Sequence, residues 1–132
     1  MNVGVDLIEI GRIRRALERY PGFRERCFTE AEQSYGADRV RRLESLAGRF
    51  AAKEAIFKAL GTGWRDGIAW TDIEVKLLPS GAPTLKVGGR AGEIAADLGI
   101  TGWLISLSHT DTHAIASVIG LGQTQPEPPP SP

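Results

Sequence analysis

The sequence predicts an α+β fold in a single domain, and three observations carry that prediction. The chain has 132 residues, enough for one hydrophobic core and too few for two domains of ordinary size. Apolar residues recur at helical spacing through the first half, and the second half alternates in the manner of strands. Helical and strand segments are therefore segregated rather than interleaved.

Taken in order, "NVGVDLIEI" is rich in Val and Ile, alternates imperfectly, and is expected to be a strand ending near Asp6 to Glu9. "GRIRRALERY" places Ile13, Leu17 and Tyr20 at helical spacing among arginines, and Pro21-Gly22 closes that helix. "TEAEQSYG" begins with a capping box, Thr29 accepting from first-turn amides and Glu32 reaching back, and predicts a short helix to about Gly36. From Arg39 to Leu60 the only breaker is Gly48, so one long helix or two abutting ones are expected. "GTGWRDG" is a glycine-punctuated loop. "WTDIEVKLL", the turn "PSGAP" and "TLKV" form a hairpin. "RAGEIAADLG" is a helix with Gly99 at its C-terminal cap. "WLISLSHT" and "HAIASVIG" are two further strands joined around Asp111-Thr112. The domain is expected over residues 1–120. Residues 121–132, mostly the Pro-rich polar "QTQPEPPPSP", form a tail that cannot bury enough surface to fold.

Lys+Arg equals Asp+Glu at 16 each, so no overall field favours nucleic acid or an anionic membrane. The arginines are uneven, crowding Arg12 to Arg26 and Arg39 to Arg49, which suits an acidic protein partner. No apolar run approaches the roughly 20 residues of a spanning helix, and no cleavable leader pattern precedes the first strand. The single Cys27 excludes a disulfide framework, lacks a base at a telling spacing, and is expected to be a packed thiol in a reducing cytoplasm.

The central segment "GRFAAKEAIFKALGTG", residues 48–63, holds the chemistry. At 100° per residue Leu43, Ala47, Phe50 and Phe57 share a stripe with Glu54, and Ala52, Ala55, Ile56 and Ala59 make the opposite side apolar too. Such a helix is packed on all sides. A carboxylate in a dry interior costs several kcal/mol unless compensated. A Glu54 to Lys58 pair at i,i+4 is one compensation. Arg49, Lys53 and Lys58 around one Glu, followed by Gly61-Thr62-Gly63, instead suggest a phosphate site of cations and approachable amides. Asp6 at the strand end supplies a second carboxylate. One or two carboxylates, waters and substrate phosphate oxygens are what Mg2+ prefers. His109 and His113 flank a hairpin turn, where their spacing does not mark a zinc site. His109 beside Ser106, Ser108 and Thr110 suits a phosphate or substrate contact.

"GVDLIEIGRI", "GRFAAKEAIFKALGTG", "DIEV" with "SGAPTLKV", and "SLSHTDTHAIASV" follow one another in the order and spacing of the holo-(acyl-carrier-protein) synthases. The chain resembles that small family of 4′-phosphopantetheinyl transferases over residues 3–119. The resemblance implies the family's fold, an antiparallel sheet packed on a long central helix. It implies transfer of 4′-phosphopantetheine from coenzyme A to a serine of apo acyl carrier protein, with release of adenosine 3′,5′-bisphosphate, in fatty acid biosynthesis. It implies Mg2+ held by Asp6 and Glu54, with Glu54 and Lys58 catalytic, the lysine near the pyrophosphate. Arg49, Lys53, Gly61, Thr62, Gly63 and His109 match positions lining the coenzyme A site. Arg12 matches a basic position meeting the carrier protein, and Arg14 and Arg15 on the same helix suit that contact. A cytoplasmic homotrimer binding coenzyme A between subunits is implied as well. Asp6 lies a few residues from Met1, as expected of a free-standing chain rather than a domain of a large synthase. The loop "GWRDGIAW" departs from the family pattern with two tryptophans and is expected to alter the adenine surroundings. Two other classes compete: an adaptor that binds an acidic carrier without catalysis, and a Mg2+-dependent phosphoesterase.

Overall fold

A computed structural model describes residues 2–34, 39–62 and 67–122. The elements run β1 (Asn2–Glu9), α1 (Ile10–Arg19), α2 (Phe23–Cys27), α3 (Glu30–Ser34), α4 (Arg39–Leu60), β2 (Ile73–Leu77), β3 (Pro83–Val87), α5 (Gly89–Asp97), β4 (Ile100–His109) and β5 (His113–Gly122). All strand pairs are antiparallel, in a three-stranded sheet of order β1-β5-β4 and a separate β2-β3 hairpin.

The Arg39 to Leu60 segment is one helix, and it is the centre of the molecule. Leu46, Ala47, Ala51, Ala52, Ala55, Ile56 and Phe57 are all buried, so α4 meets neighbours on every side. β1 lies against it with Gly4, Asp6 and Ile8 inward and Val3, Val5 and Leu7 outward, the period-two consequence of an extended chain. A methyl group on Gly4 would sit 1.9 Å from the Ala55 carbonyl oxygen, closer than any atom can approach. Gly4→Ala is therefore expected to push β1 off α4 and to destabilise the fold by about 1 to 3 kcal/mol or more, read as a lowered denaturant midpoint. An unchanged midpoint would show that the two backbones separate freely.

α4 ends at Gly61, whose φ of 77° is the left-handed conformation that favours glycine. Its amide bonds to the Lys58 carbonyl at 3.1 Å and that of Thr62 to Phe57 at 3.3 Å, the paired bonds of a Schellman cap.

Three boundaries differ from expectation. Trp70–Asp72 is a 3-10 turn rather than the start of β2. Asp72 causes this, because its Oδ2 accepts the Ala69 amide at 3.1 Å and the Ala91 amide at 3.3 Å while its carbonyl accepts from Gly88. The short helix α2 after Gly22 was not expected. β5 extends to Gly122, two residues into the expected tail; the rest of that tail, residues 123–132, lies outside the described residues, as do Gly63 and Trp64. Trp70 is a core residue, stacked on Phe50 with ring centroids 4.7 Å apart and edge-on to Phe57 at 4.9 Å. That packing removes it from the expected adenine contact. No helix among the described residues is long and apolar enough to cross a membrane.

Candidate functional site

β1 delivers Asp6 to α4 at the level of Glu54 and Lys58. Asp6 Oδ1 accepts the Lys58 ammonium at 2.9 Å, and the same nitrogen donates to the Val5 carbonyl at 3.1 Å. Lys58 thus bridges to β1 instead of pairing with Glu54 along the helix. Glu54 lies close enough to Asp6 for the two carboxylates to interact. Burial pushes its carboxyl above the usual carboxylate range, Asp6 pushes it further, and Arg12 and Lys58 pull it back. The sequence therefore brings Asp6, Glu54, Lys58 and Arg12 into one electrostatic cluster.

Two carboxylates that close repel when both are ionised, and a bound cation removes that repulsion. Their donor set is hard oxygen, with too few protein ligands for a closed cage; among the described residues no group of three His, Cys, Asp or Glu could hold a metal. This composition suits Mg2+, which keeps waters and takes substrate phosphate oxygens, and does not suit a structural zinc.

Arg49 and His109 meet elsewhere. They line a cleft of about 490 Å³ with Glu44, Ser45, Gly48, Leu77, Gly81, Leu107 and Ser108, between the first half of α4, the β2-β3 turn and the end of β4. The Arg49 guanidinium donates to the Ser45 hydroxyl, and Glu44 Oε2 lies 3.8 Å from His109 Nδ1. Arg49 and Glu54, five residues apart, point about 140° apart around the helix. His113 serves the turn instead, its Nδ1 2.8 Å from the Thr112 hydroxyl.

Lys53 joins neither group. It is fully buried, and its ammonium is held by Glu32 Oε1 at 2.7 Å and the Trp70 carbonyl at 3.1 Å. The expected place in a ligand cleft gives way to a core ion pair, because a long side chain on that face of α4 reaches only interior groups. The Gly61 and Thr62 amides close the helix and do not stand open to a phosphate. Cys27 is buried, and burial raises its thiol to about 11, in keeping with a packed role.

The arginine helix divides. Arg12, Arg15 and Arg19 rim a cleft of about 320 Å³ whose other walls are Ile13, Ala16, Tyr20, Phe23 and Phe50. Arg15 lies 4.0 Å from Glu9, both exposed. Arg14 faces away, toward Leu17, Arg24, Arg42 and Leu43. Arg19, Tyr20, Phe23 and Phe50 were missed in the sequence as members of one surface. The signal was there in part, since Arg12, Arg15 and Arg19 recur every three or four residues.

A profile of the 4′-phosphopantetheinyl transferase superfamily matches residues 2–117. A holo-(acyl-carrier-protein) synthase of Gloeobacter violaceus is 48% identical over 122 residues, covering 91% of this chain and 92% of that protein. A crystal structure of the Bacillus anthracis synthase in complex with CoA (3′,5′-ADP) superposes with a TM-score of 0.73 at 36% identity, covering 89% of this chain and 92% of the other. The Helicobacter pylori synthase in complex with coenzyme A gives 0.78 at 31% identity, covering 90% and 99%.

Proposed function

Because the chain belongs to the 4′-phosphopantetheinyl transferase superfamily, we propose that the Asp6 and Glu54 cluster is the active site of its reaction. The chain transfers the 4′-phosphopantetheine group of coenzyme A to a serine of apo acyl carrier protein, releasing adenosine 3′,5′-bisphosphate. The observation that carries the site assignment is the convergence of two carboxylates, one half-exposed lysine and one arginine from β1, α4 and α1.

In the proposed mechanism Asp6 and Glu54 hold Mg2+, which when bound supplies positive charge to the pyrophosphate oxygens. Lys58 exchanges its contact with Asp6 for the pyrophosphate, where it offsets the charge that builds on nonbridging and leaving oxygens. Glu54 orients the serine hydroxyl for attack on the β-phosphorus, and its carboxylate is proposed to take the proton of that hydroxyl. The new bond is serine oxygen to phosphorus, and the bond that breaks leads to the phosphate of adenosine 3′,5′-bisphosphate.

The carrier protein is proposed to dock on the cleft rimmed by Arg12, Arg15 and Arg19. A basic rim over an aromatic floor matches an acidic, amphipathic helical surface, and Arg12 connects that surface to Glu54. The assembly is proposed to be a homotrimer with coenzyme A between copies. Two features favour it. Val3, Val5 and Leu7 are 52 to 63% exposed on the outer sheet face, continued by Leu104 and Ile115, an apolar surface of the kind that marks an interface. The Arg49 and His109 cleft and the Asp6 and Glu54 cluster also point to different sides of α4, so a second copy can complete the site. The reaction is proposed to serve fatty acid biosynthesis in the cytoplasm.

The test is mass spectrometry of an apo carrier protein incubated with this chain, coenzyme A and Mg2+. The expected result is the phosphopantetheine mass increment on the carrier. Carrier binding without the increment would favour the adaptor, and adenosine bisphosphate release without a carrier would favour the phosphoesterase.

A further inference from the structure

The Glu32 and Lys53 pair is the most deeply buried charged group among the described residues, and the mechanism above does not use it. Glu32 accepts three hydrogen bonds at once. Its Oε1 takes the Lys53 ammonium at 2.7 Å and the Thr29 amide at 3.0 Å, its Oε2 takes the Val75 amide at 3.0 Å, and Lys53 carries the link on to the Trp70 carbonyl at 3.1 Å. That makes three contacts on Glu32 itself and a fourth through the lysine. One carboxylate so fastens α3, β2 and the 3-10 turn to a single position of α4.

Such a pair is seldom needed for stability, since apolar side chains of similar volume pack as well. It does fix geometry. Lys53 and Glu54 are adjacent, so their directions differ by about 100° and cannot change independently. Glu54 is pressed against Asp6, and a helix free to roll would relieve that repulsion by turning the carboxylate away. On the β1 side the fixed points are Gly4 against Ala55 and Ala59 and the half-exposed Lys58 on Asp6 and Val5, so the buried hold on the roll of α4 is the Glu32 and Lys53 pair.

We propose that Glu32 is a positioning residue for the transferase: through Lys53 it locks the roll of α4 and holds Glu54 beside Asp6. The inference rests on the assignment of Asp6 and Glu54 made above. Preorganisation of this kind shifts rate and metal affinity more than donor binding, because it acts on groups whose placement matters in the transition state.

The experiment compares the full chain with Glu32→Gln and with the double variant Glu32→Gln/Lys53→Met, in which no buried ammonium is left unpaired. Thermal midpoint, kcat, KM for coenzyme A, and Mn2+ affinity by electron paramagnetic resonance without substrates are measured on each. The double variant is expected to recover stability lost in the single one. Its kcat is expected to stay about 10- to 100-fold down and its Mn2+ affinity about 10-fold down, with KM for coenzyme A little changed. A double variant with parental kcat and Mn2+ affinity would reduce the pair to a core contact and overturn the proposal. Parental kcat in Glu54→Gln, run in the same assay, would instead overturn the site assignment.

Discussion

Glu54→Gln is expected to lower kcat for carrier labelling by about 10³-fold while leaving the chain folded. The substitution keeps the shape of the side chain. It removes half of the carboxylate charge that the cluster offers a divalent ion, and with it the carboxylate proposed to take the serine proton. The same change is expected to raise stability in the absence of Mg2+, because the native state then no longer holds two carboxylates together. Glu54 has a raised pKa in the folded state, so between the unfolded and folded values the native chain binds more protons, and parental stability falls as pH rises through that window. Above the window Glu54→Gln should be at least as stable as the parent, and in acid, where Glu54 is protonated, the two should converge. Labelling rates and urea unfolding in a chelator at neutral and mildly acidic pH check both halves. A variant that labels at the parental rate would remove Glu54 from the site.

Much of the site is legible in the sequence because its signal is local conflict. A carboxylate amid buried alanines and phenylalanines has no reason to be there unless a cation compensates it, and Asp6, expected at a strand end, lies inside β1 among valine and isoleucine. The fold is legible for a related reason, since α4 contains no proline and a single glycine and the strands alternate. The outward Val3, Val5 and Leu7 explain why the alternation in β1 is imperfect: its open face is apolar, and its inner face carries Gly4 and Asp6 as well as Ile8.

What failed to show is tertiary. Thr29 and Glu32 announce a capping box, and the two reciprocal bonds form at 3.2 and 3.0 Å. Nothing local says that the same carboxylate also takes a lysine 21 residues later and an amide 43 residues later. Proximity in sequence alone therefore groups Lys53 with the phosphate cations. The helical phase does separate Arg49 from Glu54, about 140° apart around α4. The aromatic floor beside Arg12 escaped because Phe23 sits in a five-residue helix with no periodic pattern to announce it.

Lys53→Met is expected to destabilise the fold by about 3 to 5 kcal/mol, measured by denaturant unfolding at fixed protein concentration. Methionine fills nearly the same space, so little of the loss comes from a cavity. The loss is electrostatic: Glu32 keeps its Thr29 and Val75 amides but loses its cation in a site with no exposure to water, and the Trp70 carbonyl loses a donor. Removing the carboxylate as well, in Glu32→Gln/Lys53→Met, leaves no charge buried and is expected to recover part of the loss. A double variant no more stable than Lys53→Met would mean that the damage lies in packing around Phe28, whose ring centroid is 5.5 Å from the ammonium. The double variant therefore separates a charge held for geometry from a side chain held for volume, which the size of the loss alone does not.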